Sequence, residues 1–172
     1  MSARIPYYLD PFREAERGRV LEGALMLAKM PRLTALLVNT EGTVTGGLEF
    51  YQPFARQYRV DGWVQAALNL ECQRCLKPYS QPVKTAFTLA LVQSEAEAEV
   101  IPEGIEPYVV EDDQLDLSQL FEDELMLALP SIPRHIISTD CDWKPWSPEY
   151  DDRDEEVPEK SPFSVLAELN KH

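Results

Sequence analysis

The chain has 172 residues, 44 % of them hydrophobic, and a formal net charge of −14. That length makes one ordinary domain able to bury a core without disulfide staples. No apolar run approaches the roughly 18 residues that cross a bilayer, and the start of the chain carries no hydrophobic signal region, so the reading is cytoplasmic.

In chain order, Asp10-Pro11 followed by a charged run and Gly18 predicts one short capped helix. Val20–Lys29 reads as a strand, and Met30-Pro31 opens a second short helix over Arg32–Val38, stopped by the turn-prone Asn39–Gly42. The period then changes to two. Thr43–Tyr51, Arg56–Asp61, Trp63–Cys72 and Pro82–Gln93 predict consecutive strands of an antiparallel meander, with Cys75–Ser80 as the hairpin loop between the last two. Val64, Ala66, Leu68, Leu70 and Cys72 share one face; Val83, Thr85, Phe87, Leu89 and Leu91 share the matching one. Ser94–Pro107 reads as an acidic loop and Tyr108–Val110 as a short strand.

Asp116–Leu129 is the strongest helical pattern. Asp116 or Ser118 caps it, Leu117, Leu120, Phe121, Leu125 and Ala128 form the buried stripe, and Pro130 ends it. Glu122, Asp123 and Glu124 are expected mainly off that stripe, as a solvated face. Tyr150–Lys160 is mostly acidic with little apolar content, and Ser161–Leu169 returns to an amphipathic helix behind Ser161 and Pro162. The expected fold is therefore α+β: an antiparallel β-meander or partly closed barrel, a few short helices, one main helix at about 116–129, and an acidic C-terminal tail. Residues 1–143 form one domain, 144–160 an acidic flexible linker and 161–172 a short docking helix.

The charge is unevenly spread. Residues 1–92 hold 11 Lys/Arg against 8 Asp/Glu, whereas residues 93–172 hold 5 against 22. A solvated acidic tail explains this, and so does a surface that attracts a basic protein. Strong autonomous RNA binding needs a concentrated cationic face, which this distribution argues against. Arg13, Arg17, Arg19, Arg32 and Arg74 are the candidate RNA-facing residues, with scattered surface charge as the plainer reading.

Three cysteines and two histidines complete the chemistry. Cys72-Gln73-Arg74-Cys75 is a Cys-x2-Cys pair, and His135 and Cys141 form a distant His-x5-Cys pair. Together they make one set of four ligands for tetrahedral zinc. The alternative leaves Cys72 buried under the sheet and the others unliganded. Leu76 stands where a metal knuckle usually has glycine, which counts against zinc. A thiol oxidoreductase would place Cys-x-x-Cys at a helix start, and here a strand precedes it and a proline-containing loop follows. No phosphate loop, nucleophile–base set or second histidine base is present, so no catalytic residues are assigned.

Leu70–Leu76, the run Glu122–Pro130 with Pro133 and His135, and the terminal Ser161–Leu169 closely resemble the YceD family, the large ribosomal RNA subunit accumulation proteins. Leu21–Leu25 and Met30–Leu33 are similar to that family's first half. The resemblance implies a bacterial cytosolic factor for accumulation of 23S rRNA, and the lack of a catalytic constellation makes a non-enzymatic one the expectation. It brings no catalytic residues. Taken with the charge split and the terminal helix, the expected partner is a basic large-subunit ribosomal protein or another assembly factor, held by the acidic half, with Phe163, Val165, Leu166 and Leu169 as an apolar anchor and rRNA contact from the first half. The alternatives are an enzyme or enzyme-cofactor protein in rRNA processing and a Cys-x-x-Cys redox protein.

Overall fold

Long runs of period-two apolar residues make β-structure the dominant element. The computed structural model describes residues 5–135 and Cys141. The expected linker at 144–160 and helix at 161–172, with Phe163, Val165, Leu166 and Leu169, lie outside the described residues.

A five-stranded sheet runs in the order β2-β3-β4-β5-β6: β2 (Val20–Met26), β3 (Thr43–Phe54), β4 (Gln57–Glu71), β5 (Pro78–Val92) and β6 (Glu106–Val109). The first four pair antiparallel, with short turns joining β3 to β4 and β4 to β5 and a longer connection joining β2 to β3. Arg56 takes the β3–β4 turn with φ of +63°. β4 and β5 stay in register from Tyr58↔Leu91 to Glu71↔Pro78, making a long two-stranded arm. The expected break at Gly62 does not occur, and β4 is one strand. The glycine is needed for another reason: a Cβ there would collide with the Phe87 ring of β5.

The sheet does not close, so the partly closed barrel is not formed. The meander also ends differently from expectation, because β6 joins β5 in parallel. The acidic segment after β5 supplies the crossover that a parallel pair requires. It contains α3 (Glu95–Ala98), capped by Ser94, whose side chain accepts from the Glu97 amide at 3.4 Å. A two-residue ladder of β1 (Tyr8–Leu9) with β7 (Leu115–Asp116) was too short to show as periodicity.

Three helices complete the fold. Asp10 caps α1 (Pro11–Glu16) by accepting from the Arg13 amide at 3.1 Å. α2 (Pro31–Thr34) is shorter than the sequence suggests and follows a 3-10 turn at Leu27–Lys29. α4 (Leu117–Ala128) begins at Asp116, whose Oδ1 accepts from the Ser118 and Gln119 amides at 2.8 and 3.2 Å. Two of its orphan N–H groups are thereby satisfied. Its Leu117, Leu120, Phe121 and Leu125 bury in the core with Val44, Leu48, Phe50, Val60, Val64 and Leu68 of the sheet. Phe121 comes so close to β3 that a Cβ on Gly46 would stand 2.6 Å from its ring.

One acid breaks the expected pattern. Ala128 is exposed, whereas Glu122 is 3 % exposed and belongs to the buried side of α4. A buried carboxylate survives only when its oxygens are bonded. Glu122 Oε1 accepts from the Leu33 amide at 2.9 Å and Oε2 from Arg32 Nε at 3.0 Å. Arg32 also reaches Asp123 at 2.6 Å. The pair clamps α2 to α4 across ninety residues of sequence.

Candidate metal centre

β4 delivers Cys72 just past Glu71, and β5 resumes at Pro78, so Cys72–Lys77 is itself the hairpin loop. The loop closes through two backbone bonds, Cys72 N–H to the Lys77 carbonyl at 3.0 Å and Leu76 N–H to the Cys72 carbonyl at 2.8 Å. That second bond needs a left-handed residue, and Leu76 has φ of +59°. This is the conformation glycine adopts most easily at such a turn. The missing glycine, which counted against zinc in the sequence, is therefore a missing residue type and not a missing geometry.

The chain after α4 turns back to meet this loop. The Gln73 amide donates to the Pro133 carbonyl at 2.8 Å, which seats Pro133–His135 beside the knuckle. The His135 ring lies 5.0 Å from that of Tyr79 on β5. As a result, one ligand atom each from Cys72, Cys75, His135 and Cys141 falls within 4.8 Å of all the others. Cys72 Sγ and Cys141 Sγ are 4.0 Å apart, and Cys75 Sγ is 3.5 Å from His135 Nδ1. A tetrahedral zinc ion with ordinary bond lengths requires about 3.8 Å between sulfurs and about 3.5 Å between sulfur and nitrogen. The three cysteines are free thiols, and the group can hold a metal ion.

Cys72 is 0 % exposed and Cys141 8 %. Burial pushes the Cys72 thiol up, but hydrogen bonds from the backbone of Cys75, His135 and Arg74 and from the His135 ring outweigh it, bringing the thiol down to about 5. Amide-to-sulfur bonds of this kind stabilise a thiolate and orient it. Burial raises the Cys75 thiol, reinforced by the two neighbouring sulfurs, with only the Lys77 backbone opposing. Sulfurs crowded together favour a nearby cation. Arg74, the second x of Cys-x-x-Cys, supplies a cation: its Nε donates to Cys141 Sγ at 3.1 Å, and this bond raises its own pKa.

The four expected ligands are thus brought together from positions up to 69 residues apart. The five candidate RNA-facing arginines engage four different sets of partners within the chain. Arg13 pairs with Asp10 at 3.1 Å, and Arg17 and Arg19 pair with the buried Glu14 at 3.7 and 3.0 Å. Arg32 belongs to the Glu122–Asp123 clamp, and Arg74 to the metal centre. Two residues were singled out in the sequence but misread, Leu76 as evidence against a knuckle and Glu122 as a solvated acid. The left-handed turn at Leu76 carries no signal in its residue type, since leucine rarely adopts that conformation. Glu122 carried a signal, since it falls one position from Phe121 on a helix whose buried stripe is wide.

A family model described as "Large ribosomal RNA subunit accumulation protein YceD" matches residues 60–170, about two thirds of the chain. The chain belongs to the YceD family. A YceD protein of Haemophilus influenzae, described in the same words, is 33 % identical over 170 residues, covering 98 % of this chain and 97 % of the relative. No solved structure matches the chain. The family match covers all four candidate ligands, α4 and most of the segment beyond Cys141, while the relative's match also takes in the α1 and α2 regions. Among the described residues, no helix of this YceD chain is long and apolar enough to cross a membrane.

Proposed function

We propose that this chain is a cytoplasmic, non-enzymatic factor in large-subunit biogenesis that promotes accumulation of 23S rRNA and does so on a frame closed by zinc. Family membership over nearly the full length carries the first part. The convergence of three sulfurs and one imidazole within 4.8 Å carries the second. In this reading Cys72, Cys75, His135 and Cys141 hold the ion, which joins the β4–β5 arm to the segment after α4. Its contribution is folding free energy, because a site absent from the unfolded chain stabilises only the folded one.

A thiol redox role fits less well. Cys72 has no exposed surface, and Cys75 opens a left-handed turn instead of a helix whose dipole would activate it. The strongly acidic composition supports a basic protein as the partner, since opposite charge speeds encounter and like charge repels free nucleic acid. Deleting the gene and measuring the ratio of mature 23S to 16S rRNA during fast growth tests the proposal. A fall in the ratio, restored by the wild-type chain, is the expected result. An unchanged ratio with normal 50S particles contradicts it.

A further inference from the structure

The end of α4 leaves apolar surface uncovered. Leu127 is 76 % exposed although it is a large apolar residue on an otherwise well-packed helix. Together with the half-buried Met126 and Tyr108 and the buried Leu89 and Leu120, it lines a groove of about 450 Å³ between α4 and the β5–β6 edge. A volume of that size accepts a few side chains of another molecule. The other lining residues are Glu106, Asp123 and Glu124, and among the described residues no cationic side chain lines the groove.

Apolar floor and anionic rim call for different parts of one ligand. Partial burial raises Glu124, and the charges of Glu106 and Asp123 raise it further. Asp123 already holds Arg32 at 2.6 Å, which leaves Glu106 and Glu124 to face an incoming group. A cation placed there relieves their repulsion, and an apolar side chain beside it covers Leu127. Water alone does neither.

We propose that the groove between α4 and β6 binds a Lys/Arg-rich amphipathic segment of a protein partner, with an apolar side chain on Tyr108, Met126 and Leu127 and cations on Glu106 and Glu124. This rests on the reading of the chain as the holder of a basic ribosomal protein, and it moves the anchor from the C-terminal segment to the folded domain. Nucleic acid is excluded from this face by its sign of charge.

The test uses the full chain and a fluorescent synthetic peptide of Leu and Lys in amphipathic helical order. One control peptide replaces Leu by Ser, and another replaces Lys by Glu. The Leu–Lys peptide should bind, the Glu peptide should not, and the Ser peptide should bind at least roughly tenfold more weakly. Glu106→Gln with Glu124→Gln should raise Kd roughly tenfold. Leu127→Ser should raise it roughly fivefold. Glu95→Gln with Glu99→Gln, which removes two exposed acids outside the groove, should change it less than about twofold. Equal losses from the two acid pairs, or equal binding of the Ser and Leu peptides, would mean bulk charge alone and overturn the proposal. Melting curves check that each variant is folded, and photo-crosslinking from the peptide Leu positions should map to Tyr108 or Leu127 in the wild-type chain. Adducts confined to residues 143–172 also overturn it. The 23S-to-16S ratio in the deletion strain tests the family reading separately, so a failed groove and a failed family function give different results.

Discussion

Replacing Leu76 by glycine should stabilise the protein, an unusual direction for removing a large side chain. The residue is held at φ +59°, where an L side chain costs about 1–2 kcal/mol through the clash of its Cβ with the following carbonyl. Glycine avoids that clash but gives back about 0.5–1 kcal/mol through the greater freedom of the unfolded chain. Little burial is lost, because Leu76 is 67 % exposed. The net gain is about 0.5–1 kcal/mol, which for a chain of this size raises Tm by roughly 1–4 °C. Leu76→Ala is the control, since it removes the same apolar surface and keeps the Cβ, and should leave Tm within about 1 °C of wild type. Calorimetry or circular-dichroism melts of the zinc-loaded proteins read both. If glycine lowers Tm, or alanine raises it as much, then backbone strain at the knuckle is not what Leu76 contributes. Its side chain would then be making a contact that outweighs it.

The remaining predictions follow from buried groups. Glu122→Gln keeps the shape but loses two charge-assisted bonds, to Arg32 and the Leu33 amide, and should cost about 1–3 kcal/mol by urea denaturation. An unchanged midpoint would mean that the α2–α4 clamp is not stabilising. Gly46→Ala should cost about 1–3 kcal/mol, because its Cβ would stand 2.6 Å from the Phe121 ring and 2.9 Å from the Trp63 carbonyl; thermal melts check it. In metal-free protein, the Cys72 thiol folds with a pKa of about 5 against an ordinary 9.0. A depressed pKa stabilises the fold fully above the unfolded value and loses that stabilisation as pH falls through the folded one. Its contribution to Tm should therefore decline between about pH 9 and pH 5. Cys72→Ser should flatten that dependence, and an identical pH profile for the two proteins would refute the assignment.

Much of the β-arm was legible because period-two patterns report burial directly. Val64, Leu68 and Leu70 are buried as their alternation requires, and so are Val83, Leu89 and Leu91. α4 was legible for a similar reason, with an acid at its cap and a proline just past its end. Two features that depend on contact between distant segments were misread, the direction of β6 and the burial of Glu122. The parallel seat of β6 is chosen by packing, and a four-residue strand after an acidic crossover has no pattern that states its direction. Glu122 read as solvated because its partners, Arg32 and the Leu33 amide, lie ninety residues earlier. The four ligands could be named because sulfur and imidazole are scarce in this chain. Their convergence could not be read, since it rests on the Gln73–Pro133 bond and on the left-handed turn at Leu76.

The most direct test of the metal-closed frame is the zinc content of the full chain, purified without a tag from cells grown in ordinary medium and measured by elemental analysis. The geometry at Cys72, Cys75, His135 and Cys141 predicts one zinc per chain, falling to well under one in Cys141→Ser. A wild-type protein carrying well under one zinc, or a Cys141→Ser protein that keeps its full complement, would contradict it.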